Sequence, residues 1–339
     1  MRADNLSALD GKSLEEVEIT LDLHTREQVP VTRYTEFSWS ATRHATFERC
    51  RREYYLRYYG SRRVREANDP IVSAVWWLKQ VTTLRTWIGS VIHVAASRAV
   101  EALRDEVELT RQEVIDIALE TYRRGVEASR RGAKVDDKWV VLFEHIYPEA
   151  RPSIDPAEAE ERVAELANVL YDSEAYQWLR GVEPNMIVEI DPAFQSFMLN
   201  DVEGLGELRV FAIPDVLLHE PGYALVRIID WKTGSVKSES HREQAGVYIL
   251  YAHRAYGVPD ESIEFVLADL GGGGRNVQLP GGPVTVVEAE ALTRKSVYNM
   301  LAALENIRFN TARIRDFPMT EDRSLCRWCG FRRACGRDD

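Results

Sequence analysis

The stretch IPDVLLHEPGYALVRIIDWKTG, residues 213–234, holds two aspartates and a lysine whose spacing could do chemistry. Asp215 precedes one extended segment, and Asp230 and Lys232 end the next. Residues two apart on a strand point to the same face, so Asp230 and Lys232 project together. With Pro221 and Gly222 at the centre of the connection, Asp215 falls opposite Ile228 and becomes a diagonal same-face neighbour of Asp230, about 7 to 8 Å away at the backbone. Two carboxylates in a partly dry strand end repel, and a hard divalent cation, Mg²⁺ or Mn²⁺, relieves that repulsion through oxygen ligation. Beside a phosphodiester such a cation polarises the phosphoryl oxygen and lowers the pKa of water. Lys232 is placed to orient that water and to balance charge building in the transition state. Taken alone, Asp-x-Lys at a strand end is more often a solvated charge pair.

The four cysteines form a second constellation. Cys50 stands alone near the start, and Cys326, Cys329 and Cys335 form a late C-x2-C-x5-C. In an intracellular protein this spacing points to metal rather than to disulfides. Zinc is one candidate, although zinc modules usually draw their ligands as two short pairs. Four thiolates equally suit an iron–sulfur cluster.

Arginines crowd the same two regions. Arg51, Arg52, Arg57, Arg62 and Arg63 interleave with tyrosines in RCRREYYLRYYGSRRVR, and Arg323, Arg327, Arg332, Arg333 and Arg337 lie among the last cysteines. Cations alternating with rings suit single-stranded DNA, whereas the plainer reading is a solvated helix face. The formal net charge of -11 argues against attraction of nucleic acid to the whole surface, so any such contact must be a local patch.

The elements that must position these residues change character midway. Ser38 or Ser40 caps a helix from about Ala41 to Tyr59 that carries Cys50. Helical spacing returns from Trp76 to Arg104 with a break near Arg85, and again from Leu109 to Glu127. Asp155 and Pro156 read as N-cap and N1 of a helix to about Leu179. Strand patterns follow at Asn185–Phe197, Leu205–Leu218 and Tyr223–Trp231, with His219–Gly222 as a turn, and they read as a meander. His241–Tyr256 is helical and ends at Gly257, Ser262–Leu270 is a strand, and Val287–Ile307 is a helix. The GGGG run at 271–274 reads as a flexible hairpin loop, since no GxxxxGK[ST] accompanies it. The chain has no helicase motor motif.

At 339 residues, 45% hydrophobic and 29% charged, the composition is that of a soluble globular protein. MRADNLSALDGKSLEE lacks the order of a signal peptide, and Ile71–Leu103 is interrupted by Lys79, Gln80, Arg85, His93 and Arg98. An intracellular, cytoplasmic protein with no membrane association is expected.

The ordered series GSVIH, IPD, DWKTG and QAGVYILY resembles the RecB-like branch of the PD-(D/E)XK nucleases, to which AddB and the CRISPR-associated exonucleases belong. Carried over position by position, the resemblance makes His93, Asp215 and Asp230 metal ligands, Lys232 the lysine of the D-x-K pair, and Gln244 and Tyr248 the QxxxY motif. Residues at i and i+4 share a helix face, so Gln244 and Tyr248 can lean together over the site. A lone histidine on an apolar helix is otherwise more often a hydrogen-bonded core residue. The approach FAIPD lacks the glycine this family often places before the aspartate. Cluster-bearing members also show the one-plus-three cysteine layout, which implies a 4Fe-4S cluster on Cys50, Cys326, Cys329 and Cys335 that joins the N- and C-terminal segments.

The fold implied is α/β, a mixed central sheet flanked by helices. Its expected divisions are a leader at 1–37, an N-terminal helical part of the nuclease domain at 38–104, a helical insertion at 105–184, the nuclease core at 185–316 and the cysteine segment at 317–339. The function implied is hydrolysis of DNA phosphodiesters with Mg²⁺ or Mn²⁺, as an exonuclease on single strands or DNA ends, in repair, recombination or CRISPR-related processing. Because no motor is present, a helicase, CRISPR or recombination partner would supply unwinding. The rival reading is a DNA-binding or complex-organising protein that keeps the fold without cutting.

Overall fold

The computed structural model describes residues 35–62, 70–136, 138–220, 225–234, 236, 239–279, 282 and 284–337. Most of the expected leader, Arg63 and the Pro221–Gly222 turn lie outside these residues.

The chain opens with a short strand, β1 (Ser38–Trp39), and a helix, α1 (Ala41–Arg49), whose N-cap Ser40 accepts from the Arg43 N–H. The expected single helix to Tyr59 is interrupted at Cys50, which has extended backbone (φ -159°). Helix α2 (Arg51–Tyr55) restarts there and runs into a π-helical turn, Leu56–Gly60. Tertiary contact overrides local helical preference at the break, because the Arg52 N–H donates to Pro318 O and its Nε to Phe317 O. Cys50 is thereby the residue between two helices rather than a residue within one.

Helix α3 (Pro70–Lys79), strand β2 (Val81–Thr82) and helix α4 (Leu84–Arg104) follow, the last capped by Thr83. Helix α5 (Arg111–Arg131) starts in a capping box, Thr110 with Glu113, and ends at Gly132 with φ 61°. Three two-residue strands, β3 (Lys134–Val135), β4 (Lys138–Trp139) and β5 (Val141–Leu142), lead to α6 (Phe143–Ile146). The next helix starts later than Asp155-Pro156 suggests: Asp155 accepts from the Ala157 N–H in a turn, and α7 spans Ala159–Asp172. Ser173 then caps a separate α8 (Glu174–Leu179).

The strands are β6 (Ile187–Ile190), β7 (Ser196–Val202), β8 (Gly206–Phe211), β9 (Val216–Glu220) and β10 (Leu225–Lys232). Helix α9 (Glu239–Tyr256), β11 (Ile263–Asp269), β12 (Arg275–Val277) and α10 (Val286–Leu301) complete the core. The glycine run joins β11 to β12 as an antiparallel hairpin.

The expected meander is divided between two sheets. Five strands in the order β12-β11-β10-β9-β6 form the main sheet, while a second has the order β1-β8-β7. β10 and β11 are parallel, joined through α9, and the other pairings of the main sheet are antiparallel, so the sheet is mixed. Alternation along β10 buries Val226 and Ile228 in the core shared with α9, β8 and the tail, and Ile229 and Trp231 in the core shared with α4, α5 and α7. Burying a side chain of this size stabilises the fold by about 1.5–3 kcal/mol, so both faces of the strand are pinned. Among the described residues no helix is long and apolar enough to cross a membrane.

Candidate active site

β9 and β10 pair with Ile229 opposite Val216 and Ile228 opposite Leu217. Continued by one residue, that register sets Asp230 directly opposite Asp215. The expected diagonal placement is therefore corrected by two residues, because the connection after Glu220 is four residues long rather than two. The carboxylates meet at the end of the sheet where α4 covers one face and α9 the other.

Helix α4 supplies His93, whose Nδ1 lies 3.0 Å from Asp215 Oδ1. The other carboxylate oxygen of Asp215 accepts from the Trp231 N–H at 2.7 Å. Asp230 is 1% exposed. Lys232 Nζ sits 2.6 Å from Asp230 Oδ2 as an ion pair, and among the described residues nothing else donates to that buried oxygen. The lysine instead donates to Gln244 Oε1 at 2.8 Å, and Gln244 Nε2 donates to the Tyr248 hydroxyl at 2.8 Å. The i, i+4 pair on α9 thus reaches β10 as one relay.

Charge is unevenly distributed over this group. Burial, and after it the Asp215 charge, push the Asp230 carboxyl up to about 6 against the opposing effect of Lys232 and His93. Burial also acts to raise Asp215, but His93, the Trp231 N–H and Lys232 outweigh it and hold that carboxyl below its ordinary range. His93 is raised, because Asp215 more than offsets burial. Burial carries Tyr248 well above the usual phenol value, reinforced by both aspartates.

Sequence reasoning passed over Asp191. Its backbone N–H donates to Asp215 O at 2.9 Å, its φ is 39°, and burial followed by the Asp215 charge raises its carboxyl. The only signal was an Asp-Pro step closing a strand, which reads as a turn.

Two observations bear on a divalent cation. His93 Nδ1 and Asp215 Oδ1 converge to 3.0 Å in a hydrogen bond, a spacing that the edge of an octahedron with bonds of about 2.1 Å would also have, and Asp230 offers a buried carboxylate oxygen paired with Lys232. Among the described residues, however, no group of three or more His, Cys, Asp or Glu side chains is placed so that it could hold a metal ion.

Cys50 lies near enough to Cys329 and Cys335 of the tail to influence them electrostatically. Burial pushes the Cys329 thiol up to about 12, with Glu53, Cys335 and Cys50 adding to it. Burial also pushes Cys335 up to about 11, Arg52 opposing and Cys50 and Cys326 reinforcing. Arg337 Nη1 donates to Cys326 Sγ at 3.2 Å.

Arg57 and Arg62 lie around Lys79, while the early arginines are largely engaged by protein groups. Arg52 is buried and turned into Phe317 O, Arg51 lies over the Phe47 ring, and Arg62 stacks on Tyr59 and donates to Asn310 O. Arg57 pairs with Glu53 and lines a groove.

A family model described as the PD-(D/E)XK nuclease superfamily matches residues 38–336. The chain belongs to the PD-(D/E)XK nuclease superfamily. A search of curated proteins finds no match to it. For a PD-(D/E)XK nuclease the mixed sheet flanked by helices is the fold in keeping with the family, and membership implies hydrolysis of phosphodiesters, generally with Mg²⁺ or Mn²⁺.

Proposed function

We propose that this PD-(D/E)XK nuclease is a metal-dependent deoxyribonuclease of the RecB-like branch, working as an exonuclease on single strands or DNA ends in repair, recombination or CRISPR-related processing. The observation that carries the reading is the meeting of His93 with Asp215 at 3.0 Å at the strand end where the buried Asp230 carboxylate pairs with Lys232.

In this reading His93, Asp215 and Asp230 hold Mg²⁺ or Mn²⁺. When bound, the cation supplies Lewis-acid polarisation of the phosphoryl oxygen and lowers the pKa of water. Lys232 keeps its proton, orients the attacking water and balances charge as the phosphorus–oxygen bond to the leaving group breaks. Gln244 holds the lysine in place and Tyr248 holds Gln244. Asp191 adds negative potential and a backbone anchor to Asp215.

The four cysteines take a 4Fe-4S cluster whose role is structural. Support comes from the one-plus-three layout and from the docking of the Cys50 break on Phe317 and Pro318. Closing a loop of nearly the whole chain constrains the unfolded state, and ligation feeds into folding free energy. Anaerobic purification should yield a coloured protein with about four iron and four sulfide per chain. A colourless protein with zinc and no iron would overturn the cluster. Unwinding comes from a partner, and the protein works in the cytoplasm.

Digestion of end-labelled linear and circular single-stranded DNA, with Mg²⁺ and with Mn²⁺, tests the activity. Shortening of the linear strand with the circle intact is expected. A cut circle would replace exonuclease by endonuclease action, and no cleavage with either metal would defeat the reading.

A further inference from the structure

The tail carries a basic groove that the acidic site does not account for. One cavity of about 890 Å³ runs between α2, the α3–α4 junction and the cysteine segment. Arg49, Arg57, Lys79, Arg85 and Arg327 line it against one carboxylate, Glu53, which pairs with Arg49 and Arg57. A second cavity of about 430 Å³ shares Ser324 and Arg327 with the first. Arg151, Arg323, Arg332 and Arg337 line it beside Cys326, with Glu149 its carboxylate; Cys329 lines the first cavity, so the groove adjoins the proposed cluster site. On a chain of net charge -11, two adjoining cavities so dominated by arginine and lysine are a concentrated positive field.

Trp328 stands in the groove and is 40% exposed. Its indole N–H donates to Arg151 O at 3.1 Å, and Arg327 lies 5.5 Å from its ring centroid, so the ring is held at a fixed orientation beside the cations. A large ring left open in a basic groove suits an unstacked base, whose face a duplex hides. Lys79 reinforces the assignment. Burial lowers it, and so do Arg57, Arg43 and Arg62, a crowding of like charge that an anion would relieve.

The groove leads to the acidic site along α4. Thr86 lines it, and His93 is seven residues further on the same helix, two turns or about 10 Å away on nearly the same face. Ser90, exposed, lies between them, and Gly89 faces Thr233 so closely that a Cβ would stand 3.0 Å from its hydroxyl.

We infer that the groove on either side of Ser324 and Arg327 binds single-stranded DNA, with Trp328 stacking a base and the surrounding cations holding phosphates, and delivers the strand along the Thr86–Ser90–His93 face of α4. This rests on the nuclease reading for the strand's destination, and it is tested separately from cleavage.

The test is fluorescence anisotropy of a labelled oligothymidylate about 16 nucleotides long, with the full chain and no divalent cation. Trp328→Ala should weaken binding roughly 5- to 100-fold, and Trp328→Phe should restore most of it. Arg327→Gln and Lys79→Gln should each weaken binding and lower the slope of log affinity against log salt by about 0.7. Thermal unfolding of each variant identifies those that keep the wild-type fold. Folded variants with wild-type affinity and salt slope would overturn the groove, as would a blunt duplex that binds more tightly than the single strand and depends equally on Trp328. Asp230→Ala should bind like wild type while losing cleavage. If it cuts normally the nuclease site is wrong, whereas the groove stands or falls on the binding of the Trp328, Arg327 and Lys79 variants.

Discussion

His93 and Asp215 touch at 3.0 Å although 122 residues separate them in the chain. The contact locks α4, on one face of the main sheet, to the start of β9 at its end. Asp230 approaches from β10 in one alternating series with Val226 and Ile228, which pack against α9, so the acidic site draws on elements from both faces. Such a site is rigid, but it stores repulsion between two buried carboxylates.

That repulsion predicts a trade between stability and activity. Asp230→Asn removes a buried charge whose carboxyl is pushed up to about 6. The metal-free variant should be more stable than wild type at pH 8 by about 1–3 kcal/mol, while cleavage falls at least about 100-fold. Urea unfolding beside a cleavage assay measures both, and a less stable, fully active variant would contradict the repulsion.

The same group sets a pH dependence. Because its folded pKa is raised, Asp230 contributes stability that is full below the unfolded value near pH 4 and is lost as pH rises through about 6. In metal-free protein the unfolding midpoint should fall across that window, and Asp230→Asn should flatten the fall. Metal ligation needs the deprotonated carboxylate, so apparent affinity for Mn²⁺ should weaken by up to about tenfold per pH unit below pH 6. A pH-independent titration would show that Asp230 is not a ligand.

Gln244 acts on the reaction through Lys232, to which it is the hydrogen-bond acceptor. Losing a hydrogen bond to a charged group costs about 1.5–3 kcal/mol, so Gln244→Leu should lower kcat by about 10- to 100-fold with little change in KM. Tyr248→Phe removes only the outer member of the relay and should cost less. A change confined to KM would place Gln244 on the substrate instead.

Packing behind the site is equally specific. A Cβ on Gly125 of α5 would stand 2.1 Å from the Trp87 ring on α4. Gly125→Ala should therefore destabilise by about 1–3 kcal/mol, despite the higher helix propensity of alanine. A raised melting temperature would mean that Trp87 moves aside freely.

Much of the site was legible from residue spacing. The period-two pair Asp230 and Lys232 and the i, i+4 pair Gln244 and Tyr248 are local geometry, and both stand as read. What failed depended on distant contacts. Cys50 leaves the helix because Phe317 and Pro318 hold Arg52, which nothing within fifty residues encodes. The register at Asp215 turned on a connection length that Pro-Gly alone misstates. β7 and β8 left the expected meander as a hairpin whose β8 pairs with β1, some 170 residues earlier. The early arginines read as a surface, yet Arg52 and Arg62 are taken up by carbonyls of the tail region.

The most direct test compares wild type with Asp230→Ala on end-labelled single-stranded DNA, each with Mn²⁺ and with chelator. Wild type should degrade the strand only with metal, and Asp230→Ala should leave it intact under both conditions. Equal, metal-dependent cleavage by Asp230→Ala would contradict the assignment of the reaction to this site.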